Sequence, residues 1–336
     1  MSIIFLLVIL LAIAYDILNG YNDGGSIIGT LVSAPFLSPL RIVLFVCFFE
    51  ICGIGMIYYI GLHITRNLMA LSLSPVTPAI VLAALTAAVI WKIVTIGAGI
   101  PTSSAHALVG GLTGAIMVAY GWQGLSQVIF RKIIIILLLT PVASFIIGYL
   151  LMHIALFFLR RATPQANKIL AKMQLLTVAL ASVLHGATEP QKTIAVFVLA
   201  LAAFGYQNDL HAPVWVIVTA VVMIAVGILA GGWRIAKTFN RRLMKIRPID
   251  SVITQISASV AILTSALLGG TFSTSQIIGS SMVGAGAAQQ MKQVSWRVAR
   301  NIMVAWLVTI PVSGILAVII WKILEFYVKA GGGVWV

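Results

Sequence analysis

The chain has 336 residues, of which 61% are hydrophobic and only 8% charged, with a mean hydropathy of +1.12. A soluble domain carries about a quarter charged residues, so this composition excludes a soluble fold or a separate soluble domain. The net charge of +14 does not indicate a nucleic-acid partner, because the basic residues cluster in short loops, as they do on the cytoplasmic side of membrane proteins.

The predicted elements are therefore those of a multi-pass plasma-membrane protein, of the kind found in bacterial or archaeal inner membranes, in contact with lipid over most of its length. The N-terminal run Ser2 to Tyr15 has no basic region and no small-residue cleavage site, and reads as a retained membrane segment. An apolar stretch over 2–18 closes at a polar elbow, Asn19-Gly20-Tyr21-Asn22-Asp23-Gly24-Gly25-Ser26-Ile27-Ile28, from which a second stretch, 26–38, opens. The stretch 41–61 holds Glu50 and both cysteines, Cys47 and Cys52, which read as free buried thiols rather than a disulfide or metal site. Next comes 79–98 with Lys92, read as snorkelling to an interface. The run Gly99-Ile100-Pro101-Thr102-Ser103-Ser104-Ala105-His106 separates it from 105–120, and 132–159 ends the first half.

The basic stretch Arg160 to Lys172 divides the chain near its middle. It predicts two membrane units, 1–159 and 173–336, joined by a cytoplasmic connector over 160–172. The later apolar stretches are 173–186, 191–206, 213–231, 250–268, 276–288 and 300–328, with basic loops over 234–247 and 292–300. Several stretches run only about 13 to 16 residues, short of the roughly 20 that span a bilayer, and end at Gly, Asn, Pro or Ser clusters. The runs are continuous rather than alternating, which excludes a β-barrel. They predict an all-α membrane protein with broken helices or re-entrant hairpins.

Self-similarity sharpens this reading. The elbow around Asn22-Asp23 returns as His185-Gly186-Ala187-Thr188-Glu189-Pro190-Gln191-Lys192-Thr193-Ile194. The run around Thr102-Ser103-Ser104 returns as Gly269-Gly270-Thr271-Phe272-Ser273-Thr274-Ser275-Gln276. Two motif pairs in the same order predict an internal repeat, the sequence mark of a secondary transporter whose site lies at the repeat interface. The loop 63–77 holds one basic residue, Arg66, whereas its counterpart 234–247 is dense in them. Equivalent loops of unlike charge predict inverted topology.

The motifs suggest two kinds of site. Thr102, Ser103 and Ser104, and again Ser273, Thr274 and Ser275, stand where a helix begins. Free N–H groups and hydroxyls there either bind an oxyanion or merely cap the helix. Asp23 and Glu189 lie in apolar sequence, where a carboxylate must be paired, protonated or cation-bound. With Asn22 and Thr188 they offer oxygen ligands to a hard cation such as Na⁺, or a place for a proton. Lys192 pairs with Glu189 across one turn or faces the anion. Asp16 and Glu50 line the pathway or pair with a lysine, and His106 fits a proton relay or a packing histidine equally. No triad or metal spacing points to an enzyme, and no resident cofactor is implied.

These residues resemble the PiT family of inorganic phosphate transporters. Asn19 to Thr30 looks like that family's Gly-x-Asn-Asp signature, and His185 to Thr193 looks like its His-Gly-x-Asn-Asp-x-Gln-Lys element. Pro101 to His106, Gly231 to Thr238 with Arg247-Pro248, and Trp296 to Ala299 with Thr309-Ile310-Pro311 are similar to further family motifs. The resemblance covers nearly the whole chain. It implies a phosphate symporter coupled to Na⁺ or H⁺, a likeness to carriers of sulfate or thiosulfate as the alternative, a homodimer, and a soluble regulatory partner in some members. Residue by residue it carries over Asn22, Asp23, Ser103, Ser104, Gln191, Lys192, Ser273 and Thr274 as site candidates, with Gln191 and Lys192 beside the anion; the Na⁺ reading at Asn22, Asp23 and Glu189 rests on their oxygen ligands. Four departures from the pattern lie in the second half: Thr188-Glu189 for Asn-Asp, Gln276 for a His, Thr271-Phe272 for a Pro-containing turn, and Gln255 for a frequent Glu.

Overall fold

The fold is seen in a computed structural model, which describes residues 3–31, 38–163, 165–207, 209 and 211–331. Among these residues the structure is helical, with one isolated bridge between Ser72 and Leu125 as its β-type pairing. Seven helices are long and apolar enough to cross a membrane, or eight if a bent pair in the second half counts as one span.

The first half runs α1 (Ile3–Leu31), α2 (Pro39–Ile60), a short α3 (His63–Met69), α4 (Pro78–Gly97), α5 (Ser104–Tyr120) and α6 (Gln127–Leu159). The second runs α7 (Gln165–Thr188), α8 (Gln191–Ala203), α9 (Val214–Leu229), α10 (Trp233–Lys237), α11 (Pro248–Leu267), α12 (Thr274–Gln289) and α13 (Trp296–Gly331). A π-helical turn, Thr238–Leu243, follows α10. Element by element the order repeats, with α7 and α8 together standing where α1 stands.

One sequence expectation is corrected. The first elbow is not a break: α1 continues through Asn19–Ile28 without interruption. Asn19, Asn22, Asp23 and Ser26 recur at helical spacing, so the polar run forms one face of the helix, and no proline stops it. Residues 32–37 of the expected 26–38 segment lie outside the described residues. In the second half Glu189-Pro190 does separate α7 from α8, because Pro190 has no N–H to give. Even there the backbone stays near helical, and Gln165–Ala203 counts as one candidate span. Within the 160–172 stretch, Gln165 to Lys172 are helical and form the first two turns of α7.

The α4–α5 and α11–α12 hairpins are built alike. α4 ends with Ile100 N–H bonded to Thr95 C=O (3.0 Å) and Gly99 N–H to Ile96 C=O (3.0 Å). α11 ends with Gly270 bonded to Ser265 (2.8 Å) and Gly269 to Ala266 (2.9 Å). This is a Schellman cap, whose turning residue is left-handed; Gly99 has φ +67° and Gly269 φ +68°. α5 and α12, of 17 and 16 residues, then rise only about 25 Å at 1.5 Å per residue.

Packing crosses the halves. α1 lies on α9 and α10, as α7 lies on α2 and α8 on α3; α5 lies on α13, as α12 lies on α6. The seams are small residues. A Cβ on Gly20 would strike the Ile224 carbonyl, one on Gly186 the Glu50 carbonyl, and one on Gly284 the Phe145 carbonyl. Close backbone approach of this kind is how helices associate without a hydrophobic drive in lipid. The large apolar side chains left outside, such as Leu10, Phe48, Leu139, Phe157 and Ile315, face outward from the bundle. Cys52 is among the exposed residues, contrary to the expectation that both thiols are buried; Cys47 is buried. Five residues apart on one helix, the two point in different directions.

Candidate functional site

The polar face of α1, the α7–α8 junction and the starts of α5 and α12 meet inside the bundle. Asn22, Asp23, Ser104, Thr188, Glu189, Lys192, Thr274 and Ser275 are all at most 1% exposed. Of the chain's seven acidic residues, five are buried: Asp16, Asp23, Glu50 and Glu189 around this centre, and Asp250 at the start of α11. Acid in this protein is spent inside, where it is costly without partners.

Ser104, the first residue of α5, is the hub. Its hydroxyl lies 2.8 Å from Glu189 Oε1 and 3.1 Å from Asp23 Oδ2, and accepts from Lys192 Nζ at 3.1 Å. One hydroxyl proton thus serves two carboxylates. From α12, Thr274 donates to Glu189 Oε2 (3.1 Å) and Ser275 to Asp23 Oδ1 (2.5 Å). The Asn22 amide donates to Asp23 Oδ1 (2.8 Å) and to the Thr102 carbonyl (2.8 Å). Lys192 forms an ion pair with Glu189 and also lies 3.4 Å from the Phe272 carbonyl. Each carboxylate is therefore held by hydroxyls from both hairpins, and the hydrogen bonds are charge-assisted.

The two Ser/Thr clusters divide their work. Ser103 is the N-cap of α5 and accepts from His106 N–H (3.0 Å), so its hydroxyl caps the helix; the His106 ring bonds to the same oxygen. Thr102 Oγ1 meets Thr95 Oγ1 at 2.8 Å. Ser273 precedes α12, and its buried hydroxyl has no hydrogen-bond partner among the described residues. The Thr188 hydroxyl donates within its own helix, to Leu184 C=O at 2.7 Å. The structure does not bring the Gln191 side chain to the cluster. Its amide bonds Gly61 C=O (3.1 Å) and Ile64 N–H (3.2 Å), tying α8 to α3.

Other buried charges lie around this centre: Glu50 and Asp16 find partners other than a lysine, and Lys92 departs from its sequence reading. Glu50 pairs with His185 rather than a lysine, and His185 Nε2 stands 3.9 Å from Glu189 Oε2. Asp16 accepts from Thr193 (2.5 Å). Lys92 does not snorkel: it is fully buried, because α4 is enclosed by α1, α5 and α13. Sequence reading missed Tyr15, which donates to the Ser104 carbonyl (2.9 Å); an aromatic one position before a buried acid was the available signal. His106 and Gln276, which stand at matching positions of the two hairpins, line one cavity of about 420 Å³ together with residues of α6 and α13, Arg300 and Trp306 among them.

Chemically, the centre offers two helix N-termini with unpaired N–H groups and partial positive charge, suited to an oxyanion. It also offers acidic and amide oxygens suited to a hard cation. One oxygen of Asp23, one of Glu189 and one His185 nitrogen lie within 4.8 Å of one another.

Comparison with known proteins agrees with this architecture. The chain is 32% identical to a "probable low-affinity inorganic phosphate transporter" of Bacillus subtilis (strain 168), over 96% of this chain and 98% of the relative. It is 34% identical to a protein of the same description from Rhizobium meliloti (strain 1021), over 93% and 94%. A solved structure described as "the sodium-dependent phosphate transporter" superposes with a TM-score of 0.84 at 18% identity, covering 97% of this chain and 100% of that one, and is similar in fold. The profile of the phosphate transporter family, a family of transporters rather than enzymes, matches residues 19–317. The chain is a multi-pass membrane protein and belongs to the phosphate transporter family.

Proposed function

We propose that the protein carries inorganic phosphate across a bacterial-type inner membrane by symport with Na⁺ or H⁺, binding the anion between the starts of α5 and α12. The observation that carries this reading is the convergence of Ser104 and Thr274, each the first residue of a duplicated helix, on the carboxylates Asp23 and Glu189. Phosphate still bears protons near neutral pH, so a carboxylate facing it is an acceptor rather than a repellent. Sulfate has no such proton to give, and the family assignment favours phosphate over sulfate or thiosulfate.

For the driving ion, Asn22 and Asp23 fit a cation. Asn22 Oδ1 is a buried acceptor with no hydrogen-bond partner among the described residues, beside a carboxylate. Glu189 is already met by the Lys192 ammonium, so its share in a metal site is the smaller one. The similar solved structure is described as sodium-dependent, which supports testing Na⁺ first. The mirrored packing supports reading 1–159 and 173–336 as two inverted repeats about the connector 160–172.

The test is uptake of labelled phosphate by proteoliposomes under an imposed Na⁺ or pH gradient. Accumulation under one gradient and not the other is expected. No accumulation under either, by monodisperse protein, overturns the proposal.

A further inference from the structure

Lys92 lies on α4, five residues before the helix ends, and is fully buried. Its ammonium makes neither a hydrogen bond nor an ion pair among the described residues. An isolated buried ammonium is costly, and a protein keeps one where a partner arrives. Thr95, one turn further on and so on the same face, bonds the Thr102 side chain at 2.8 Å. That face is therefore turned to the segment that opens α5. α4 also packs on α1, which carries Asp23, and on α5, which opens with Ser104.

The carboxylates of the central cluster are already supplied. Asp23 accepts from Asn22, Ser275 and Ser104, and Glu189 accepts from Ser104 and Thr274 and pairs with Lys192. The two halves thus differ: the second half's lysine is committed to its own carboxylate, and the first half's lysine is not. We propose that Lys92 is a direct ligand of the transported anion, giving the site its uncommitted positive charge. This rests on the phosphate reading above and adds to it a residue that neither duplicated motif contains.

The experiment compares the unaltered protein with Lys92→Met and Lys92→Gln in proteoliposomes, measuring the phosphate KM, the maximal rate and the apparent affinity for the coupling cation. Loss of one charge-assisted contact should raise KM by about tenfold or more. The maximal rate should fall less, and cation affinity should hold. Arsenate, a tetrahedral anion of the same charge, should lose potency as a competitor in parallel. If KM holds and cation affinity moves, Lys92 only balances Asp23, and the proposal is overturned. It is likewise overturned if neither variant folds, since the lysine is then structural. No phosphate uptake by the unaltered protein overturns the phosphate reading itself, an outcome distinguished because it needs no variant.

Discussion

Ser104 and Glu189, 85 residues apart, stand 2.8 Å from each other, so the start of a first-half helix is fastened to a second-half carboxylate. A hydrogen bond to a charged group is worth about 1.5–3 kcal/mol, and Ser104 makes its bonds at the point where the anion would sit. Ser104→Ala should lower phosphate uptake at subsaturating phosphate roughly tenfold or more, and Asp23→Asn should do at least the same. Full uptake by both variants in proteoliposomes would contradict the site assignment.

The Glu50–His185 pair is buried on both sides. Removing one partner of such a pair leaves an uncompensated polar group and costs about 3–5 kcal/mol, whereas replacing both by apolar residues is often neutral. Glu50→Ala should therefore destabilise the detergent-solubilised protein strongly, and Glu50→Leu with His185→Phe much less than the two changes summed. A denaturation-based double-mutant cycle reads the coupling directly; simple additivity would mean the pair is not coupled.

Gln191 occupies a family motif, yet its amide is used by Gly61 and Ile64. Gln191→Ala should lower thermal stability and maximal rate while leaving the phosphate KM within about twofold, as expected for lost positioning rather than lost binding. A selective rise in KM would place the amide on the anion instead.

The glycines divide into two kinds, which a pair of substitutions separates. A Cβ on Gly99 meets nothing within 4 Å, so Gly99→Ala meets only the strain of its φ of +67°, about 1–2 kcal/mol. A Cβ on Gly186 falls on the Glu50 carbonyl, where backbone has to move. Gly186→Ala should lower the melting temperature more than Gly99→Ala; the reverse order would mean that the α2–α7 seam is not as tight as described.

Topology has its own check. In a background with Cys47 and Cys52 replaced, Arg66→Cys and Arg241→Cys should label with a membrane-impermeant thiol reagent from opposite sides. Labelling from one side only would refute an inverted repeat.

Much of this was visible in the residues. Burial of Asp23 and Glu189 and the helix starts around Ser104 and Thr274 follow from composition and punctuation. What was hidden has physical reasons. Asn19, Asn22, Asp23 and Ser26 read as an elbow because polarity was taken for a break, whereas their spacing is that of a helix face. Lys92 read as snorkelling because a single segment does not reveal which helices enclose it. The Glu50–His185 pair joins residues 135 apart, and Gln191 was placed by its motif although its amide turns to α3; in both cases only tertiary packing decides.

The crosswise glycine seams carry a further consequence. Because α1 is braced by α9 and α10, and α5 by α13, neither sequence half can slide as a unit without shearing backbone contacts with the other. Any motion that opens the centre first to one side of the membrane and then to the other must be carried by bodies assembled from both halves. Severing the gene between them would accordingly yield two fragments that regain a native bundle only when made together.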